Sequence, residues 1–305
     1  MPSSIQRKIR RFITGRSQCR YVFVTIPPQL LATNTVSAAL DVSWRLDPAI
    51  VVALLAYAGV YTHRWRRSRQ EGGARAASFG RLSCWLAGIG FLALGLLSPI
   101  DALGEQLASF HMIQHLLLAD LAAIFLTLGL TRWILRPVTR RLQRVEHAAG
   151  PLAHPIFGAV AYVGVMWFWH VPAFYDATLR DPVVHTLEHV SFAAAGLLYW
   201  WHLLSPIRSR LRMGGIGPVL YMASTKVSVG FLGVLLAFAP TLLFKGYQRQ
   251  GELLGMTALD DQSVAGAIMG FEQTVVMGVV LVSLFVRMLT EADREDARAE
   301  RYSPS

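Results

Sequence analysis

Long apolar segments alternate with short polar connections along most of the chain. An α-helix needs about 20 such residues to cross a hydrocarbon core of roughly 30 Å. We predict seven membrane-spanning helices, over residues 48–61, 82–98, 111–131, 155–171, 183–204, 217–240 and 262–289. The first is the shortest, and it needs flanking residues such as Trp44 and His63 to reach both membrane interfaces. The predicted fold is therefore all-α, a polytopic membrane protein built as a bundle of seven transmembrane helices.

The composition agrees with a membrane protein. Hydrophobic residues make up 53% of the 305 residues and charged residues only 16%, and the mean hydropathy is +0.41. Both values depart from those of typical soluble domains in the direction expected for a bilayer environment.

Arginine is concentrated in every second connection between the predicted helices. The residues are Arg64, Arg66, Arg67, Arg69, Arg75 and Arg81 after the first helix, Arg132, Arg136, Arg140, Arg141 and Arg144 after the third, and Arg208, Arg210 and Arg212 after the fifth. Positively charged loops stay in the cytoplasm, so we predict an outer amino terminus and an inner carboxyl terminus. The net charge of +10 then reflects topology and attraction to anionic lipids of the bilayer, and nucleic-acid binding is not needed to explain it.

Two terminal segments flank the predicted membrane domain of residues 48–290. Residues 1–47 are basic, which favours the inside and conflicts with the predicted topology. A cleaved signal around residues 21–39, a disordered tail and a wrongly assigned start codon each explain this segment. Residues 291–305 are rich in charge and are predicted to form a solvated cytoplasmic tail.

Histidine is concentrated at the predicted outer ends of three helices. His111 and His115 begin the third helix, His170 ends the fourth, and His185 and His189 begin the fifth. Histidines four residues apart lie on one side of a helix, with roughly 6 Å between their Cβ atoms, close enough to share one ion. Any one of them is also explained as a hydrated interfacial side chain, but all five together predict a metal site between facing helices.

The neighbouring donors favour copper. Four methionines accompany the site region: Met112, Met166, Met256 and Met269. Thioethers beside imidazoles suit copper, above all its reduced ion, although each methionine is also explained as a core-filling side chain. Only two cysteines are present, so no thiolate cluster is available.

Carboxylates near the same face are candidates to support the histidines, to attract an ion or simply to solvate the loops. They are Asp101, Asp176, Asp181, Glu188, Asp260 and Asp261. Glu188 directly precedes His189, but adjacent helical residues point about 100° apart, so we do not expect the two to share a face.

Three charged residues are predicted near the middle of the bilayer: Asp120, Lys226 and Glu272. Such residues need partners, and counting from the helix ends allows Lys226 to pair with either acid. Two interpretations stay open, a proton or ion relay below the histidines and an ion pair that fixes helix packing. Small residues, namely Gly230, Gly233, Gly266 and Gly270, are expected to let these helices approach closely.

Several separated motifs resemble those of one family. They are residues 111–118 around His111 and His115, residues 167–176 around His170, residues 185–201 with His185 and His189, and residues 260–269. In this order they resemble the integral-membrane cytochrome c oxidase assembly factors of the CtaG type, which are associated with caa-type oxidases. The resemblance covers roughly residues 48–290, and the amino-terminal 47 residues lie outside it.

The resemblance implies a non-catalytic, multi-pass protein of the bacterial inner membrane that helps to mature a haem-copper oxidase of the respiratory chain. It implies copper handling for the catalytic subunit, with that subunit and an extracytoplasmic copper donor as partners. It marks the following site positions: His111, His115, His170, His185, His189, Asp261 and Gln262.

Two other function classes stay open from the residues alone. A haem-bearing oxidoreductase would use transmembrane histidines as axial ligands, and His189 and His202 lie about 20 Å apart along one helix. No second helix repeats that spacing. A metal importer would use the same outer histidines, but Lys226 would repel a cation along the path inward. No phosphate-binding glycine loop, nucleophile elbow or His-Glu-x-x-His helix is present, so we expect no enzyme.

Overall fold

The computed structural model describes residues 40–207, 211, 213–250 and 253–302. The predicted signal-like segment lies outside these residues. So do three arginines of the predicted cytoplasmic loops, namely Arg208, Arg210 and Arg212. The described residues form helices and contain no β-strand. The helices are α1 (Pro48–Ala76), α2 (Phe79–Leu97), α3 (Pro99–Gly104), α4 (Ala108–Leu116), α5 (Ala122–Gly129), α6 (Arg132–Leu135), α7 (Thr139–Ala149), α8 (Pro155–Trp169), α9 (Pro172–Thr178), α10 (Pro182–Leu204), α11 (Gly217–Ala237) and α12 (Ala258–Tyr302).

A helix lies at each of the seven segments predicted to cross the membrane. Two of them end later than predicted: α1 continues to Ala76 and α12 to Tyr302, beyond the predicted ends at residues 61 and 289. Charged residues ended the predicted apolar segments, but they do not end a helix. Four are long and apolar enough to do so, namely Phe79–Leu97, Ala108–Gly129, Gly217–Ala237 and Ala258–Thr290. A fifth is added if Thr139–Ala153 and Pro155–Trp169, which meet at 66°, form one span. Helices α1 and α10 are less apolar because they carry Arg64 and the His185–His189 segment, respectively. The all-α fold is confirmed, while the count of seven spans and their orientation stay predictions.

Helices α1 and α10 begin where the sequence supplies caps. Asp47 accepts hydrogen bonds from the backbone N–H groups of Ala49 and Ile50 at the start of α1, at 2.7 and 3.3 Å. Asp181 does the same for α10, at 2.8 and 3.4 Å. In both cases a proline occupies the first helical position, where its missing N–H costs nothing. The start of α10, which carries two site histidines, is therefore fixed locally.

The third span is continuous but not uniformly α-helical. Residues Leu117–Leu121 form a π-helical turn between α4 and α5, and such turns often occur at functional sites. Helix α10 crosses this turn at Gly196, where an added Cβ would lie 1.9 Å from the carbonyl oxygen of Ala119. Only glycine therefore permits this backbone approach.

Helices α11 and α12 also approach closely. A Cβ at Gly266 would lie 2.3 Å from the backbone nitrogen of Ala237, and one at Gly233 would lie 3.1 Å from the carbonyl oxygen of Gly266. The expected role of small residues holds at these two positions. At Gly230 and Gly270 an added Cβ would meet nothing within 4 Å, so those two glycines are not needed for the contact.

Candidate functional site

The structure brings all five outer histidines together. The ring centroids of His111 and His115 lie 4.3 Å apart, and those of His185 and His189 lie 4.1 Å apart. The two helices face each other, with 5.6 Å between the rings of His111 and His185 and 6.0 Å between those of His115 and His189. His170 lies 6.3 Å from His115, measured between ring centroids. Helices α4 and α10 and the end of α8 therefore supply one imidazole cluster.

Glu188, one of the candidate supporting carboxylates, lies inside this cluster, although the sequence did not predict that it would face the same site as His189. Its carboxylate oxygens both lie 3.3 Å from His111 Nε2, and Oε1 lies 3.4 Å from His115 Nε2. The reason is helical spacing, because residues 185, 188 and 189 are related by three and four positions and form one face of α10. The adjacent residues Glu188 and His189 can therefore both border the histidine cluster.

The buried part of the cluster has the composition of a metal site. One ligand atom from each of His111, His115 and Glu188 lies within 4.8 Å of the other two, and all three side chains are buried. We call these three residues the inner group. Two imidazoles and one carboxylate at this spacing can converge on a single divalent or monovalent ion.

A second set of three residues lies beside the inner group and nearer to solvent. Ligand atoms of Asp101, His185 and His189 also lie within 4.8 Å of one another, and Asp101 and His185 are half-buried. We call these residues the outer group. The sequence placed Asp101 only in an outer loop, because nothing in its local pattern shows that α3 turns it toward α10.

Asp101 is held in place by two neighbours. Gln114 Nε2 donates to Asp101 Oδ1 at 2.7 Å and to the carbonyl oxygen of Gly95 at the same distance, while Arg45 Nη1 lies 3.5 Å from Asp101 Oδ2. Burial raises the pKa of Asp101, and the hydrogen bond from Gln114 opposes that rise. Arg45 also binds Glu105 through both guanidinium nitrogens, so it links the segment before α1 to the outer group.

Several imidazole nitrogens in the two groups have no hydrogen-bond partner among the described residues. They are His111 Nδ1, both ring nitrogens of His115, His185 Nε2 and His189 Nε2. Buried polar atoms are nearly always hydrogen-bonded, so five exceptions in one place require an explanation. A bare imidazole nitrogen is a metal ligand, and the chemistry of this donor set fits a bound ion.

Comparison with known proteins identifies the family of this chain. The family model of the cytochrome c oxidase caa3 assembly factors, Caa3_CtaG, matches residues 59–291, a range that includes every histidine of the cluster. The chain belongs to this family. No curated protein and no solved structure matches it.

Asp261 of this assembly factor holds the helix that carries two of the histidines. Its carboxylate accepts hydrogen bonds from the backbone N–H groups of Ala108 and Ser109, at 2.5 and 3.2 Å. Leu107, which precedes α4, supplies no side-chain cap. A negative charge on the first N–H groups of a helix stabilises it, so α12 caps α4 one turn before His111.

Gln262 and Asp176 hold a loop against the cluster. Gln262 Oε1 accepts from the N–H groups of Leu243 and Phe244, at 2.7 and 3.4 Å, and Asp176 Oδ1 accepts from that of Gly246 at 3.0 Å. Phe244 stacks on Tyr175 with 3.8 Å between ring centroids, and Tyr175 lies 5.0 Å from His111. In the assembly factor these two polar residues therefore position aromatic rings that cover the inner group.

The predicted intramembrane charges have different partners. Tyr162 donates its hydroxyl proton to both oxygens of Asp120, at 2.8 and 2.9 Å, and Trp200 Nε1 donates to Oδ1 at 2.9 Å. Glu272 accepts from the side-chain amide of Gln273. Within the described part of the chain, the side-chain nitrogen of Lys226 has no carboxylate oxygen of Asp120 or Glu272 within 4.0 Å. The ion-pair interpretation is therefore not realised in this structure.

Proposed function

We propose that this assembly factor handles copper for the catalytic subunit of a haem-copper oxidase in the bacterial inner membrane. The observation that carries the proposal is the inner group, in which ligand atoms of two buried imidazoles and a buried carboxylate lie within 4.8 Å of one another. An ion accepted there from an extracytoplasmic donor would pass to the oxidase subunit by ligand exchange, with no organic substrate turned over.

The charge of the inner group supports a bound cation. Glu188 is fully buried, and the charged or chargeable groups within 4.0 Å of its carboxylate are His111 and His115. A buried carboxylate is stable only with a compensating positive charge or a proton. A copper ion held by the two imidazoles would supply that charge.

The position of the two groups supports stepwise transfer. In the outer group Asp101 and His185 are half-buried, whereas all three residues of the inner group are buried, so an ion from outside would meet Asp101 and His185 first. His189 belongs to the outer group, and its ring lies 6.3 Å from that of His111. An ion would therefore move only a few ångströms from one set of ligands to the neighbouring set.

Copper binding tests the proposal directly. We expect protein purified in detergent to hold near-stoichiometric copper, and a variant with His111→Asn and His115→Asn to lose it while keeping its helical circular dichroism. His147→Asn, on the exposed helix α7 outside the cluster, is the matched control and should bind as the parent does. A strong haem absorbance band in the purified parent would contradict the proposal and support a haem protein.

Oxidase maturation tests the physiological role. Cells that carry the His111→Asn and His115→Asn variant in place of the parent should make a caa-type oxidase whose catalytic subunit lacks copper, and added copper should restore part of its activity. Cells with His147→Asn should make normal oxidase. A fully copper-loaded oxidase in the double-variant cells would show that the cluster has a structural or partner-binding role instead.

A further inference from the structure

His170 differs from the other four histidines in what its ring faces. Its Nδ1 lies 2.6 Å from the carbonyl oxygen of Met166, and its Nε2 lies 3.3 Å from Met112 Sδ. A carbonyl oxygen only accepts hydrogen bonds, so Nδ1 must carry the proton. In the neutral ring Nε2 is then a bare lone pair, and it points at a thioether sulfur, which has no proton to donate either.

Two lone pairs at this distance have the spacing of two ligands on one metal ion. Metal–nitrogen bonds of about 2.0 Å and metal–sulfur bonds of about 2.3 Å, at a tetrahedral angle, separate the two donor atoms by roughly 3.5 Å. The observed separation between His170 Nε2 and Met112 Sδ is 3.3 Å. An ion could therefore be bound by both atoms with little movement of either side chain.

A small cavity adjoins this pair. Its volume is about 20 Å³, which is room for roughly one water molecule or one ion. Two further thioether side chains line it, those of Met166 and Met269, and His115 of the inner group lines it as well. Three methionines from α4, α8 and α12 thus line one space next to a bare imidazole nitrogen, together with the carboxyl groups of Asp120 and Glu272.

We infer that His170 and Met112, with Met166 and Met269 around the same cavity, form a second, sulfur-containing copper site below the inner group. The inference rests on the proposed function. Thioethers and imidazole are neutral, soft ligands that favour the monovalent ion over harder divalent cations, so this site would take Cu(I) as such, without a change of oxidation state. His115 borders both sites, which makes it the residue through which an ion would pass from the inner group.

Copper stoichiometry and copper–sulfur scattering test the inference on the full-length protein loaded anaerobically with excess Cu(I). X-ray absorption of the parent should show sulfur at about 2.3 Å from copper and two copper ions per chain. Met112→Leu combined with Met166→Leu and Met269→Leu should lose the sulfur signal and one of the two ions. Replacement of methionine by leucine conserves volume and is well tolerated in cores. If the triple variant does not fold, Met112→Leu alone, which removes the sulfur 3.3 Å from His170 Nε2, should lower the sulfur signal.

Met277→Leu is the matched control, because Met277 is fully buried in α12 and does not line this cavity. It should bind two ions with an unchanged sulfur signal. One ion per chain without sulfur scattering, lost in the His111→Asn and His115→Asn variant, would overturn this second site and leave the proposed function intact. Two ions with an unchanged sulfur signal in the Met112, Met166 and Met269 triple variant would also overturn it. A parent that binds no copper would overturn both proposals.

Discussion

The cap that Asp261 places on α4 predicts that a residue outside the ligand set controls both stability and copper affinity. Replacing Asp261 by alanine removes the acceptor of two backbone N–H groups, those of Ala108 and Ser109. Asp261 itself is only 2% exposed. No other side chain caps this helix. The backbone N–H groups of Ala108 and Ser109, in the first turn of α4 directly before His111, would then lose their hydrogen bonds to Asp261.

The size of the effect follows from known values. A helix amino-terminal cap contributes about 0.5–2 kcal/mol, and a buried donor left without an acceptor costs about 1–3 kcal/mol. We therefore expect Asp261→Ala to lower the free energy of unfolding by roughly 2–4 kcal/mol. Asp261→Asn keeps an acceptor oxygen and loses only the charge at the positive end of the helix, so we expect a loss of about 1 kcal/mol.

Two assays separate the structural effect from the effect on the site. Thermal unfolding in detergent, followed by circular dichroism, should show a midpoint roughly 5–10 °C lower for Asp261→Ala. Cu(I) affinity, measured by competition with a chromophoric chelator, should fall about tenfold or more, as is usual when a residue that orients a metal ligand is lost. The unfolding measurement does not depend on copper, so it tests the cap even if the proposed cargo is wrong.

The adjacent acid is the control. Asp260 is exposed and accepts hydrogen bonds only within its own turn, from the backbone and hydroxyl of Thr257. Asp260→Ala should cost less than about 1 kcal/mol and leave copper affinity unchanged. Equal stability of the Asp261 and Asp260 variants would refute the assigned role of Asp261, since only one of the two acids contacts α4.

Three smaller predictions concern the packing around the site, and each is measured by thermal unfolding in detergent. Gly196→Ala places a Cβ 1.9 Å from a carbonyl oxygen of the π-helical turn and should destabilise the protein by about 3 kcal/mol. The control is Gly230→Ala, whose Cβ would lie in open space, and it should change stability by no more than about 1 kcal/mol. Equal effects of the two substitutions would contradict the close contact at Gly196. Tyr162→Phe removes a hydroxyl donor from buried Asp120 and should cost about 1.5–3 kcal/mol; no loss would mean that this hydrogen bond is not formed. Arg45→Gln should cost less than about 1 kcal/mol, because the side chain is 37% exposed, and the cost should shrink at high salt; a larger, salt-independent loss would indicate that Arg45 is buried.

The sequence predicted where the helices begin because the signals for a helix start are local. Apolar runs, arginine-rich connections and caps such as Asp47 and Asp181 act over a few residues, and the helices begin within about four residues of the predicted segments. The pairing of helices was less accessible. The grouping of the histidines was predicted because they lie at helix ends on one predicted face of the membrane. That argument gives their depth in the membrane, but it does not say which side chains touch.

The roles of Asp101, Asp261 and Gln262 depend on contacts between distant parts of the chain. Asp261 caps a helix 153 residues away in sequence, and Asp101 reaches the outer group only because the short helix α3 folds back beside α4. The resemblance to the assembly factors marked Asp261 and Gln262 as site positions, yet their side-chain atoms hold α4 and the loop around Phe244 instead. No pattern of polarity within α12 distinguishes an acid that binds an ion from one that caps another helix.

The misplaced expectation for Glu188 has a more general cause. The angle of about 100° between adjacent helical residues excludes a shared face only when the partner is small. Here the partner is a cluster of imidazoles spread over more than 6 Å. The cluster is wide enough to contact side chains that leave the helix in the directions of both Glu188 and His189. Spacing by three and four residues around His185 was the informative signal. It places an acid among histidines in a part of the helix where an acid without a cationic partner would be costly, and that cost is the physical reason to regard the inner group as a site for a cation.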